Sequence, residues 1–244
     1  MQAFILAAGL GTRLQPLTNH KPKAMVEVDG RTLLEINIER LIRHGATRIV
    51  VNVHHFADKV IHFINSHSWD ADILISDERE QLLDTGGAIA HAINLFHTDK
   101  PVLIHNVDIL SHIDLAELLR YHHNHHAYAT LAVSKRHTNR QLLFNGFPAL
   151  IGWHDSKSNE YKWAAGVPPA HTDISGEIEL AYSGIAVLSP EFIQSLPAAD
   201  KPYPLVPCLL QAAKNNKIIP YQHDAAIWLD VGKPETLAQA AKMI

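Results

Sequence analysis

Four short apolar runs frame this chain: Ala3–Ala8, Arg48–Val53, Ile73–Ile75 and Pro101–His105. Each is shorter than a globular helix, and the second is rich in β-branched residues, so they read as strands, the first and fourth of them buried. The stretches between them carry helical spacing. Leu34, Ile38, Leu41 and Ile42 fall on one helical face after Thr32, a good capping residue, and Gly45 closes that segment. Phe56–Ile64 and Ala88–Leu95 also read as helices. Alternating strands and helices predict a parallel sheet with helices on its faces. Ligands on such sheets bind at the carboxyl ends of the strands.

The first run ends in Leu6-Ala7-Ala8-Gly9-Leu10-Gly11-Thr12-Arg13-Leu14, and Lys21-Pro22-Lys23 follows shortly after. Glycines bring backbone N–H groups close to phosphate oxygens, and cations offset phosphate charge. The pattern is neither a Walker loop, because Gly-Lys-Ser/Thr is absent, nor a dinucleotide fingerprint, because the third glycine is missing at Leu14. By spacing alone the loop is either structural punctuation or an anion site, and the cations Arg13, Lys21 and Lys23 favour the anion site.

Composition narrows the class. The chain has 244 residues, 47% of them hydrophobic, enough for one α/β domain with a sizeable core. A net charge of −4 supplies no bulk field for nucleic acid or anionic membrane, so phosphate binding must be local. The single cysteine, Cys208, excludes an internal disulfide and reads as a buried filler. No apolar run approaches the roughly 20 residues of a membrane span, and the first residues lack a basic secretory n-region. A soluble, cytoplasmic protein is expected.

The run Leu6–Arg13 with Pro16-Leu17-Thr18 and Lys21-Pro22-Lys23 resembles the sugar-1-phosphate nucleotidylyltransferases, whose pattern is G-x-G-T-R-(L/M)-x-P-L-T followed by P-K. The resemblance implies a three-layer, Rossmann-like, mixed and mostly parallel sheet with helices on both faces and a small inserted sugar-binding lobe. It also implies a nucleotidyltransferase that joins a nucleoside triphosphate to a sugar 1-phosphate and releases pyrophosphate. The expected organisation is a single domain over 1–244, with a nucleotide part at about 1–134, a sugar part at about 135–229 and a closing metal loop and helix at 230–244.

The resemblance continues along the chain. Leu83-Asp84-Thr85-Gly86-Gly87-Ala88-Ile89 opens a helix by spacing alone, and is similar to the family's L-x-T-(A/G)-G-A-I, which lies against the nucleotide. Asn106-Val107-Asp108 ends the fourth run where the family has N-G-D. It keeps Asp108, the implied metal ligand, while Val107 replaces the usual glycine and predicts a slightly different loop. Tyr182-Ser183-Gly184-Ile185 is similar to F/Y-x-G-(I/V) beside the sugar, and Trp228-Leu229-Asp230-Val231-Gly232-Lys233-Pro234-Glu235 to W-x-D-(V/I)-G-(T/K)-P-E, whose aspartate is the second metal ligand. The implied nucleotide contacts are Leu6, Ala8, Gly9, Gly11, Thr12, Arg13, Lys23, Thr85, Gly86, Gly87 and Asn106. The implied catalytic residues are Lys23, Arg13 and Asp108, with Mg²⁺ on Asp108 and Asp230 and sugar contacts at Tyr182, Ser183 and Gly184.

Within the family the resemblance is closest to short uridylyltransferases of N-acetylmuramate 1-phosphate. Guanylyltransferases of mannose or heptose 1-phosphate, cytidylyltransferases of phosphocholine and a catalytically silent nucleotide-sugar-binding subunit are the alternatives. Either a monomer or a homodimer is compatible. Outside the resemblance, Asp114-Leu115-Ala116-Glu117 reads as a capping box. His122, His123, His125 and His126 read as a solvated helix end rather than a zinc site, since no cysteine or carboxylate completes them. Lys135–Ile178, polar and rich in aromatic residues, reads as the second lobe.

Overall fold

The computed structural model describes residues 1–164 and 177–243. Pro168 and Pro169, placed in the second lobe by the sequence, lie outside the described residues. The chain opens with β1 (Gln2–Leu6), β2 (Glu27–Val28), β3 (Arg31–Thr32), α1 (Leu33–Arg43), β4 (Arg48–Val53), α2 (Ala57–Asn65), β5 (Asp72–Asp77) and α3 (Asp84–His91). It continues through β6 (Val102–Asn106), β7 (Ile109–Ser111), α4 (Leu115–Asn124), β8 (Ala129–Ser134), β9 (Arg140–Phe144), β10 (Leu150–Asp155) and β11 (Glu160–Trp163). The last elements are β12 (Ile178–Leu188), α5 (Pro190–Gln194), α6 (Leu205–Ala213), β13 (Ile218–Gln222), β14 (Trp228–Asp230) and α7 (Pro234–Ala240).

The central sheet is mixed and mostly parallel. β6, β1, β4 and β5 run parallel side by side, in register Leu103–Ala3–Ile49–Ile73. β12 then pairs antiparallel with β6, β8 and β9, and β13 runs parallel to β8. Side chains alternate along a strand, so β1 feeds two cores. Ala3 and Ile5 pack with α1, α2, α4 and α7 on one face, whereas Phe4 packs with α3, α5 and α6 on the other. This is the expected three-layer arrangement.

β12 joins the two halves of the molecule. Its carboxyl half pairs with β6 through Ile185–Leu188, and its amino half pairs with β9 through Ile178–Leu180. The ladder shifts between Tyr182 and Ala186, where Gly184 takes φ +73. Only glycine adopts that conformation without strain, and the bend turns the strand from the parallel half into the antiparallel lobe β12-β9-β10-β11.

Side-chain caps fix the starts of α1 and α4. Thr32 accepts a hydrogen bond from the Glu35 amide at 3.1 Å and caps α1. Asp114 does the same for Glu117 at 2.9 Å, but the Glu117 carboxylate turns to Arg120, so only half of the expected capping box forms. Three expectations are corrected. β1 stops at Leu6 because the amides of Ala7 and Ala8 leave the ladder for Asn52 Oδ1. α3 starts at Asp84, so Gly86 and Gly87 lie inside the helix rather than in a turn before it. Cys208 is only half-buried at the edge of the α6 core.

Candidate active site

A cleft of about 510 Å³ opens at the carboxyl ends of β1, β4, β5 and β6. Of the residues expected from sequence, Leu6, Ala8, Gly9, Lys23, Thr85, Asn106 and Asp108 line it. Asn52, Glu78 and Val107 also line it.

The Lys23 ammonium contacts the Asp108 carboxylate, and both side chains are only slightly exposed. Lys23 reaches Asp108 because its loop folds tightly. Gly11, at φ +65, sits where a Cβ would meet Thr18 Cγ2 at 2.9 Å and Lys23 Cβ at 3.0 Å. The Thr18 hydroxyl donates to the Gly11 carbonyl at 2.9 Å and closes the loop. The cation and anion neutralise each other across the cleft floor. A polyphosphate, itself anionic, would compete with Asp108 for the Lys23 ammonium.

Asp108 is held by its backbone on three sides. Asn37 of α1 donates from Nδ2 to the Val107 carbonyl at 2.8 Å and to the Leu33 carbonyl at 2.9 Å. The Val107 amide donates to the Leu6 carbonyl at 3.2 Å, and the Val231 amide to the Asp108 carbonyl at 2.9 Å. Val107 itself is buried in the core. Burying a valine side chain is worth about 1.5 kcal/mol, so the residue that replaces the family glycine anchors the loop instead of loosening it.

Deeper in, Arg40 donates to His105 Nε2 at 3.1 Å and to the Ile113 carbonyl. With Nε2 accepting, the His105 proton sits on Nδ1 and is donated to the Asn106 carbonyl at 2.9 Å. Burial, aided by the Arg40 charge, lowers the His105 pKa to about 3, and burial lowers Arg40 to about 10. His105 is therefore neutral in the fold and acts as support.

Pairing of β14 with β7 sets Asp230 opposite Ile109, next to Asp108 in the chain. Asp230 Oδ1 accepts from the Gly232 amide at 2.8 Å. A Cβ on Gly232 would stand 2.7 Å from Asp230 Oδ1 and 2.9 Å from Arg13 Nη2, which places the Arg13 guanidinium beside this second carboxylate. Arg13 and Asp230 thus flank the Lys23–Asp108 pair without lining the cleft itself.

Sequence reasoning missed Asn52. Its Oδ1 accepts from the Ala7 and Ala8 amides at 2.6 and 3.2 Å, and its Nδ2 donates to Glu78 Oε1 at 2.8 Å. Glu78 Oε2 in turn accepts from the Leu83 amide at 3.2 Å, and burial raises the Glu78 pKa. One buried pair therefore ties together the loop after β1, the end of β4 and the loop after β5. The available signal was a lone polar residue inside Val51-Asn52-Val53 at a strand end.

Other expected residues have different surroundings. The Gly86 and Gly87 faces are covered by Tyr203, whose ring carbons lie 2.6 Å from a Cβ built on Gly86. Thr85 lines the cleft, yet its hydroxyl accepts from the Leu205 amide at 2.9 Å. Ser183 is buried, with its hydroxyl 2.7 Å from His223 Nε2. Gly184 backs onto Asn106, whose Nδ2 lies 2.9 Å from the position of a Cβ. Tyr182 lines a second cavity of about 490 Å³ in the lobe, together with Arg136, Arg140, Gln141, Trp153 and Lys162. Of the histidine cluster, His122 is buried with Nδ1 3.0 Å from the Thr130 hydroxyl, so only its neighbours form the expected solvated end. Among the described residues, no three His, Cys, Asp or Glu side chains group as a metal site.

Comparison with known proteins decides the family. Residues 2–142 match the nucleotidyl transferase family model. The chain belongs to the nucleotidyl transferase family. It is 33% identical to N-acetylmuramate α-1-phosphate uridylyltransferase of Caulobacter vibrioides, over 99% of this chain and 96% of the relative. It is 27% identical to the enzyme of the same name from Neisseria meningitidis, over 98% of this chain and 96% of that one. The crystal structure of HddC from Yersinia pseudotuberculosis complexed with GMP-PN shares the fold at TM-score 0.76 and 20% identity, covering 99% of this chain and 98% of that one. This nucleotidyltransferase has the fold of the sugar-1-phosphate nucleotidylyltransferases, and no described helix is long and apolar enough to cross a membrane.

Proposed function

We propose that the chain transfers uridine monophosphate from UTP to N-acetylmuramate 1-phosphate in the cytoplasm. The observation that carries this reading is the whole-chain likeness to relatives of that name, which extends through the lobe as well as the cleft. In the reaction an acceptor phosphate oxygen attacks the α-phosphorus, the bond to the bridging oxygen breaks in line, and pyrophosphate leaves with that electron pair. The attacking oxygen is already ionised, so no side chain is needed as base.

Positioning and charge neutralisation remain for the protein. Lys23 leaves Asp108 and meets the α-phosphate, where negative charge gathers. Arg13 and the loop amides from Gly9 to Thr12 hold the outer phosphates. Asn52 and Glu78 fix the strand ends under the nucleoside. Asp108 and Asp230 fit Mg²⁺, a hard ion that takes one or two carboxylates and completes its shell with water and phosphate oxygens. When bound, the ion neutralises charge on the phosphates of the nucleotide.

The test is a pyrophosphate-release screen of UTP, GTP, CTP and dTTP against N-acetylmuramate, mannose, glucose and heptose 1-phosphates and phosphocholine. Release with UTP and N-acetylmuramate 1-phosphate that stops with EDTA and returns with Mg²⁺ is expected. Release with GTP and mannose or heptose 1-phosphate would replace this reading. Nucleotide-sugar binding without release in any combination would favour a regulatory subunit.

A further inference from the structure

The lobe cavity is walled by three cations that differ in one respect. Arg140 is paired with Asp155 at 3.2 Å, and Lys162 with Glu160 at 3.3 Å, its ammonium 4.9 Å from the Trp153 ring centre. Arg136 has no carboxylate at ion-pair distance among the described residues. It is nevertheless fixed in place. Its guanidinium carbon lies 4.3 Å from the Trp228 ring centre, and Nη2 donates to the Tyr182 carbonyl. Its Nε is buried, without a partner among the described residues.

The two residues that hold Arg136 belong to the two sides of the site. Trp228 lies two residues before Asp230, and its indole N–H donates to the Ser183 carbonyl at 2.9 Å. Tyr182 lies two residues before the Gly184 bend that backs onto Asn106. Arg136 therefore stands where the lobe cavity meets the Asp230 loop. Asp230 is near enough for its charge to oppose the lowering of the Arg136 pKa by burial.

A clip between a strand carbonyl and an indole face does not require a charge. Half-burying a guanidinium without a counter-ion costs free energy that a neutral amide donor would avoid. A stacked, hydrogen-bonded guanidinium with donors to spare is instead preorganised for an oxyanion. We propose that Arg136 binds an oxyanion of the acceptor sugar and so sets acceptor affinity. This rests on the functional reading above. Two sources share the chemistry: the 1-phosphate that every such acceptor carries, and the carboxylate that an acidic sugar such as N-acetylmuramate adds.

The experiment compares wild type, R136Q and R136K with N-acetylmuramate 1-phosphate and N-acetylglucosamine 1-phosphate, which differ only in the carboxylate-bearing ether. Acceptor and UTP are varied in turn. The expected result for R136Q is an acceptor KM raised roughly ten- to a hundredfold, with UTP KM within about twofold of wild type. R136K should recover part of the loss, because it keeps the charge but not the fork. It also supplies the measurement if R136Q does not fold. Equal loss with both acceptors identifies the phosphate, and loss confined to the muramate identifies the carboxylate. An unchanged acceptor KM, or a rise in UTP KM alone, overturns the proposal. If wild type turns over neither acceptor, the functional reading fails first, and the variants are compared with whichever sugar 1-phosphate the screen yields.

Discussion

The parallel half and the antiparallel lobe are built by different rules. In the parallel half, β1, β4, β5 and β6 end on one edge, and the polar groups there are tied to one another: Lys23 to Asp108, Asn52 to Glu78, Asn37 to the Val107 carbonyl. In the lobe, polar groups pair across strands instead, as in Arg140 with Asp155 and His154 with Glu179 at 3.1 Å, while Tyr161 stacks on Trp163. Strand ends concentrate chemistry in short segments, whereas cross-strand pairs spread it over the register. We take the first half to perform the transfer and the second to choose the acceptor, joined by β12 and the Asp230 loop.

The division breaks or holds most sharply at Lys23 and Asp108. Lys23→Ala and Asp108→Asn are each expected to lower turnover on the order of 10²–10³-fold with every acceptor tested, since both act on charge common to all of them. Melting temperature should fall by no more than about 10 °C, because both groups are only slightly exposed but line the cleft, where water can reach the partner left behind. Near-wild-type pyrophosphate release in either variant, with Mg²⁺ present, would remove that residue from the chemistry. A loss that depended on the acceptor would dissolve the division itself.

The joint is tested next. Gly184→Ala would force an alanine to φ +73 with its Cβ 2.9 Å from Asn106 Nδ2 and from Ile109 Cγ1. A stability loss of about 1–3 kcal/mol is expected, measured by urea denaturation. Because both Asn106 and the lobe strand would shift, KM should rise for nucleotide and acceptor together. A change in only one of them would mean that β12 does not couple the halves.

The same contrast governs how much was legible in the sequence. Gly9–Arg13, Lys23, Asp108 and the Asp230 loop lie in short motifs whose spacing follows from a single turn, so they stand out in the chain. Asn52 and Asn37 do not, because each looks like one polar residue in an apolar segment until the strand order brings Ala7 or Val107 against it. Gly86 was legible as a close-approach glycine, but its partner Tyr203 lies over a hundred residues away in sequence. In the lobe the composition was legible, whereas the partners of Arg140 and His154, and the Trp153 ring beside Lys162, depend on register. Ser183 illustrates the limit: its position beside Gly184 is local, but its bond to His223 is not.

Asn37 separates support from chemistry within the parallel half. Asn37→Leu keeps the branching of the side chain with bulkier methyl groups and removes the donor to the Val107 carbonyl, and with it the buried Oδ1 that has no partner among the described residues. Stability should fall by about 1–3 kcal/mol, because the bulkier side chain must fit a fully buried site. Turnover should fall on the order of tenfold while nucleotide KM holds, because a misplaced Asp108 acts on the transition state more than on binding. Unchanged kcat would show that Val107 packing alone holds the loop.

The smallest effect belongs to a residue outside both sites. Burial, aided by the nearby charge of His123, lowers His122 from 6.5 to about 4, while Glu191 acts in the opposite sense. The unfolded chain therefore binds a proton below about pH 6.5 that the folded chain refuses until about pH 4. Stability is fully present above the unfolded value and falls as the pH drops through this window. Between pH 7.5 and 5 this group should cost about 1–2 kcal/mol. His122→Gln, which keeps a partner for the Thr130 hydroxyl but cannot take the proton, should flatten that part of the pH–stability curve without altering turnover at neutral pH. An unchanged slope would mean that His122 stays solvated enough to protonate in the fold, as the sequence had suggested for the whole cluster.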